Sequence, residues 1–145
     1  MTTLPTHALT LWRPWAWAIV HGPKRVENRT WKPPASFIGK RIGIHAGQNI
    51  DRNSVTFIEL NLDLDQLPPE AWHEGLIGSA RLVRCIEKDQ VGTFEEGQGN
   101  WFFGPYGWLL DEVEAFPAPI PMKGAQGLWR VGFVPADALI AAGLK

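Results

Sequence analysis

Three prolines alternate with apolar residues in Phe116-Pro117-Ala118-Pro119-Ile120-Pro121, and no other segment limits the fold as tightly. Each proline fixes φ at about −65° and has no N–H to give to a ladder. The segment must be extended, yet it cannot be a central strand. Other breaks divide the rest of the chain. Pro14 suits the first turn of a helix, where a missing N–H costs nothing. Gly22-Pro23 stops that helix near His21. Lys32-Pro33-Pro34 is a loop.

Between these breaks the residue pattern assigns short elements. Ala8 to Trp12 reads as a strand, followed by a helix with Trp15, Ala18 and Ile19 on one face. Arg25 to Trp31 is extended. Lys40 to Ala46 alternates, with Ile42 and Ile44 on one face and Arg41, Gly43 and His45 on the other. Residues 49 to 65 look helical at first and irregular near the end. Gly75 to Glu87 and Gly107 to Val113 are strand patterns, Gly127 to Phe133 is a last strand, and Pro135 to Gly143 forms a short terminal helix. Several short strands, few helices, no repeat and no long linker predict an α+β fold. Its expected form is a small barrel or rolled sheet with short helices on its flanks.

The chain has 145 residues, which predicts a single domain over residues 1–145 with one sizeable core. Its 45% hydrophobic and 20% charged residues are globular values. No apolar stretch approaches the length of a membrane span, and Met1 to His7 lacks the pattern of a secretory signal. Cys85 is the only cysteine, which removes intramolecular disulfides and cysteine-cluster zinc sites. The expected location is the cytoplasm. The four histidines show no metal spacing, so no metal is expected. Gly97-Gln98-Gly99 lacks the later glycine of a dinucleotide fingerprint, no P-loop is present, and no cofactor is expected. No serine sits in a nucleophile elbow.

Charge and aromatic content both point to the first third of the chain. Residues 1–48 carry seven basic residues and one acid, Glu27, for a net +6, while the other 97 residues carry −7. That asymmetry suggests an anionic partner for the first third, or two parts that neutralise each other in the fold. Eight tryptophans accompany one tyrosine. Trp12, Trp15, Trp17 and Trp31 fall in the basic third, and Trp101, Tyr106 and Trp108 form a second group. Tryptophans are mostly core residues, but rings interleaved with Arg and Lys also stack single-stranded bases.

Two strings gather these features. Trp12-Arg13-Pro14-Trp15 lies at a strand-to-helix turn, where helix N–H groups, the helix dipole and Arg13 favour an anion. The alternative there is that both rings are core and Arg13 pairs with an acid. In Gly22-x-Lys24-x-x-Glu27-x-Arg29, an extended chain puts Glu27 and Arg29 on one face. A lone carboxylate among Lys24, Arg25 and Arg29 is expected to stay ionised. It orients those cations, accepts from a ligand amine, or is an internal ion pair.

These strings, with Leu11-Trp12-Arg13-Pro14-Trp15-Ala16, Ile44-His45-Ala46-Gly47, Gly104-Pro105-Tyr106-Gly107-Trp108 and Gly127-Leu128-Trp129, resemble the ASCH domain family of the PUA-like superfamily over about residues 8–133. The resemblance implies a small PUA-like β-barrel with flanking short helices and a cleft beside it. It also implies binding of RNA or of modified bases. Some members are described as ribonucleases, and others as amidohydrolases that remove an acyl group from the amino nitrogen of cytidine with a lysine and a nearby threonine. Lys24 matches that lysine. Glu27 stands at the threonine's position, and Thr30 is three residues on.

The first expectation is a binding module for RNA, single-stranded nucleic acid or a modified nucleoside. In it Trp12, Trp15, Trp101 and Tyr106 supply rings, Arg13, Lys24, Arg29 and Lys40 hold phosphate or sugar, Glu27 orients Lys24 and Arg29 or reads a base edge, and His45 belongs to the binding site. Trp12 and Trp101 are the first candidates for stacking. The second is a metal-independent hydrolase, a ribonuclease or an amidohydrolase, with Lys24 and Glu27 catalytic and His45 assisting. The third is a protein-interaction domain with an internally satisfied charge cluster. No membrane partner is expected, and the oligomeric state is open.

Overall fold

The computed structural model describes residues 3–93 and 97–145. Among them are six strands: β1 (His7–Arg13), β2 (Val26–Arg29), β3 (Arg41–Ile50), β4 (Gly75–Glu87), β5 (Tyr106–Ile120) and β6 (Leu128–Arg130). Three α-helices, α1 (Trp15–Val20), α2 (Val55–Leu62) and α3 (Ala136–Ala141), and several 3-10 turns join them. The strands form one sheet in the order β2-β5-β4-β3-β1-β6. β1 and β3 run parallel, and the other pairs are antiparallel.

The sheet curls strongly, and one side chain demonstrates it. Arg29, on the edge strand β2, donates from Nη2 to the Thr10 carbonyl on β1 at 3.0 Å. In a flat sheet those strands, four steps apart, would lie about 19 Å from one another. The sheet therefore wraps into a half-barrel, and Arg29 spans the gap that strand pairing leaves open. This is the expected α+β barrel-like architecture with short flanking helices.

The proline segment finds a place that its chemistry allows. β5 pairs with β2 only over Tyr106–Leu109, and its later part pairs with β4 alone. Pro117 and Pro119 thus lie where β5 is locally an edge, although the strand is internal at its start. Two readings need correction. Residues 49 and 50 continue β3, because Arg13 pairs with Ile50 and the Asp51 N–H donates to the Arg13 carbonyl at 2.8 Å. The helix expected from residue 49 begins only at Val55. The last strand shrinks to Leu128–Arg130, which pairs with β1 over His7–Leu9.

α1 fills the half-barrel and is buried nearly all round. Its Ile19 and Val20 pack with Leu9, Ile42, Ile44, Leu82 and Trp108. Its Trp17 and Ala18 pack with Val26, Ile58 and Trp101 beneath α2. A Cβ at Gly78 would stand 2.9 Å from both Val20 methyls and 2.4 Å from the Glu114 carbonyl oxygen, so only glycine lets α1 approach β4. On the outer face Leu76, Phe116 and Ile120 pack with Val134 and Leu144 near α3. With both faces covered, Ile42 to Gly47 of β3 are all buried, and alternation alone understates their burial. No helix among the described residues is long and apolar enough to cross a membrane.

Candidate functional site

Two concavities flank the open side of the half-barrel. The larger is an open cleft of about 1370 Å³, lined among others by Thr10, Trp12, Arg29, Trp31, His45 and Lys123. The smaller, about 440 Å³, is lined by Trp15, Lys24, Glu27, Asp51, Phe57 and Phe103 among others. Between them runs a chain of charges. Lys24 Nζ stands 3.5 Å from Glu27 Oε1, and Arg29 Nε stands 3.0 Å from Glu27 Oε2. The second contact is an ion pair whose N–H is not aligned for a hydrogen bond. Glu27 and Arg29 share one face of β2, so the spacing read from the sequence does bring them together.

Lys24 is only 1% exposed. Its ammonium donates to the Val26 carbonyl and lies 5.4 Å from the centre of the Trp15 ring. Burial pushes its pKa below the ordinary lysine value, and Glu27 pulls it part of the way back. Trp15 in turn donates from Nε1 to Asp51 Oδ2 at 2.9 Å, and Ser54 Oγ donates to the same oxygen at 2.7 Å. The Trp15 bond, chiefly, holds the Asp51 carboxyl below its ordinary pKa. The turn expected to attract an anion thus already has the chain's own carboxylate beside it.

In the larger cleft, Trp12 is 53% exposed and lines the wall with the half-buried Trp31. His45 is buried at its floor with every ring nitrogen used. Nε2 lies 2.9 Å from the Met122 carbonyl, and a carbonyl only accepts, so Nε2 carries the proton. Nδ1 of the neutral ring then accepts from Thr10 Oγ1 at 3.1 Å, and Thr10 Oγ1 accepts from Trp129 Nε1 at 2.9 Å. Burial lowers the pKa of His45, against the smaller upward pull of the Met122 bond, in keeping with a neutral ring.

The other sites expected from sequence are placed elsewhere. Trp101 is only 3% exposed, edge-on to Phe57 and Trp15 in the core beneath α2, so its ring face is not offered to a ligand. Arg13 donates to the carbonyls of Gly47, Trp72 and Gln48 and pairs with Glu74 at 3.6 Å, which uses its fork inside the fold. Lys40 is exposed, near the Phe37 ring before β3, and outside both concavities. Tyr106 lies on a separate shallow surface with Glu87 and Lys88, and Lys32 stands 5.6 Å from its ring centre. The cleft also contains residues that the sequence reading did not select: Thr10, Lys123 and Gly124. A lysine in a short Gly-containing loop after the proline run, Met122-Lys123-Gly124-Ala125-Gln126-Gly127, was the available signal for the last two.

A family model for the ASCH domain matches residues 9–122 of the chain. Similar solved structures include the following two. A crystal structure of ASCH from Zymomonas mobilis is 19% identical with a TM-score of 0.49, covering 93% of this chain and 91% of that one. A crystal structure of a serine-to-alanine mutant of the Zymomonas mobilis ASCH protein is 22% identical with a TM-score of 0.48, covering 89% and 92%. No curated protein matches the chain.

Proposed function

The chain belongs to the ASCH domain family, a PUA-like fold family, and on that premise we propose that it binds one nucleobase, in single-stranded RNA or as a modified nucleoside or nucleotide, in the larger cleft. The exposed Trp12 ring on the cleft wall carries this reading. A ring half open to water inside a concavity, with a second indole and a guanidinium on the same walls, suits a flat heterocycle. Stacking of this kind contributes about 1–3 kcal/mol per base. The basic residues of the first third support a small ligand rather than a long strand. Arg13 spends its fork, and Arg25 its Nη1, on backbone carbonyls, and Lys24 and Arg29 are paired with Glu27.

The test is a titration panel of labelled short RNA, the same DNA sequence, and free and acylated nucleosides, at low and moderate salt. Binding is expected to be weak, to favour unpaired bases and to fall as salt rises. Absence of binding to every oligonucleotide, nucleoside and nucleotide at low salt overturns the reading.

A second reading, a metal-independent hydrolase, rests on one observation. Lys24 is a buried amine with a lowered pKa on the wall of the smaller pocket, and such an amine is a suitable proton acceptor or charge stabiliser. Glu27 would orient it. Product formation from labelled RNA and from acylated cytidine, without added metal, tests this. Under the hydrolase reading Lys24→Ala and Glu27→Gln each lower turnover by about 10²–10⁴-fold. Under the binding reading the wild-type protein turns over neither substrate.

A further inference from the structure

We propose that the loop of residues 121–127, between β5 and β6, is a phosphate-binding arm, so that the cleft takes a nucleotide by its phosphate as well as by its base. The inference rests on the nucleobase reading above and assigns the second half of the ligand. Lys123 lines the cleft, is exposed, and has no ion-pair partner among the described residues. The other cation on the cleft wall, Arg29, is engaged by Glu27 and the Thr10 carbonyl. An anion entering the cleft therefore meets Lys123 as its uncommitted positive charge.

The backbone of the same loop adds donors. Among the described residues no hydrogen bond uses the N–H of Lys123, Gly124, Ala125 or Gln126. Successive free N–H groups beside a cation are a common arrangement for holding phosphate oxygens. The loop is also docked, which keeps those donors at the cleft. His45 donates from Nε2 to the Met122 carbonyl at 2.9 Å. Gly124 packs so closely on the floor that a Cβ there would stand 2.3 Å from Thr10 Oγ1 and 2.7 Å from His45 Cε1.

The position matches the base site. Thr10 and Trp12 are two residues apart on β1 and face the same cleft. Their spacing along the strand is about 7 Å. The loop sits over Thr10, and the exposed indole is Trp12, so base and phosphate subsites lie side by side at the scale of one nucleotide.

The experiment compares ribonucleosides, their 5′-monophosphates, a six-nucleotide single-stranded RNA and inorganic phosphate as probes, with wild-type protein and Lys123→Gln. Calorimetry reads affinity, and amide NMR shifts read the loop. Wild type is expected to bind the monophosphates roughly 5- to 10-fold more tightly than the nucleosides, as one charge-assisted contact gives. Lys123→Gln is expected to reduce that preference, the loop N–H groups keeping part of it. It should also reduce the log–log salt slope for the oligonucleotide by about 0.7, the value of one phosphate contact on a single strand. Inorganic phosphate should shift the amides of residues 123–126 before others. A Lys123-dependent gain with the oligonucleotide alone places the phosphate in a strand, and a gain with monophosphates places it in a free nucleotide. Equal affinity of wild type for nucleosides and monophosphates, with no salt-slope change in Lys123→Gln, overturns the proposal while the nucleobase reading stands. Loop shifts with phosphate but no binding of any nucleoside or nucleotide overturns the nucleobase reading and keeps the anion site.

Discussion

Replacing Glu27 by glutamine removes the one negative charge between two cations while keeping the side chain's volume. In the wild type its two oxygens stand 3.5 Å from Lys24 Nζ and 3.0 Å from Arg29 Nε. Lys24 is fully buried, so it cannot turn to water when its partner goes. Breaking a buried pair from one side costs about 3–5 kcal/mol. At about 2–4 °C of Tm per kcal/mol for a chain of this size, Glu27→Gln should melt roughly 6–20 °C below wild type near neutral pH. The deficit has a definite pH dependence. The folded-state pKa of Lys24 lies below its ordinary 10.5 because of burial. Between those two values the unfolded chain binds more protons than the folded one, so stability rises with pH across that window. Glutamine removes the partner that pulls the value upward and widens the window toward neutrality. Glu27→Gln should therefore regain stability relative to wild type as pH rises, as Lys24 folds without its proton. Thermal denaturation from about pH 6 to pH 10 measures this. The double variant Lys24→Met/Glu27→Leu is expected to lose less than the single one, because it removes the buried ammonium together with its partner and leaves only Arg29 unpaired. A single variant that melts with wild type throughout, or whose deficit grows with pH, refutes the reasoning.

Trp12→Ala should weaken nucleobase binding roughly 5- to 150-fold with little change in Tm, whereas Trp101→Ala should cost about 3–5 kcal/mol of stability as a core deletion; paired titrations and melts check both, and an unchanged affinity in folded Trp12→Ala excludes that ring. Gly124→Ala should force the loop off Thr10 and His45, since its Cβ would lie 2.3 Å from Thr10 Oγ1. Monophosphate affinity should then fall several-fold for a loss of about 1–3 kcal/mol of stability, read by calorimetry and melting. Arg13→Met leaves the Gly47, Gln48 and Trp72 carbonyls without their shared donor and should cost about 1–3 kcal/mol in denaturant unfolding.

The elements whose signals are local were legible. Gly75 to Glu87 is a strand over its full expected length, and Glu27 pairs with Arg29 as two-residue spacing requires. The boundary near residue 50 was not, because a parallel partner far back in the chain extends β3: Ile50 pairs with Arg13, and no property of residues 49–54 announces it. The tryptophans show the same limit. Trp12 and Trp101 are equally apolar in sequence, but Trp12 stands on a strand facing the open side of the half-barrel, and Trp101 follows a glycine turn that folds it under α2. Which ring a ligand can reach is fixed by the curl of the sheet, a property of pairings spread over the whole chain.

The basic first third is the instructive case, because each of its four arginines also donates to backbone carbonyls inside the fold. The half-barrel has a short central helix and strand ends that leave carbonyls without ladder partners. Arg25 Nη1 donates to the Ile19, Gly22 and Lys24 carbonyls after α1, and Arg13 takes those of Gly47 and Gln48 near the end of β3. Arg41 takes the Glu112 carbonyl, and Arg29 that of Thr10 across the open side. A guanidinium has five donors in a rigid fork and stays charged, so it can cap such ends where a lysine offers a single point. The guanidinium donors of residues 1–48 are thus used largely by backbone acceptors, while the positive charge itself stays on this part of the fold. Lys123, the only basic residue between Lys88 and Arg130, remains available at the cleft because no strand end or buried acid claims it. A charge count along a chain measures supply; the hydrogen-bond demand of the fold decides how much of that supply a ligand can meet.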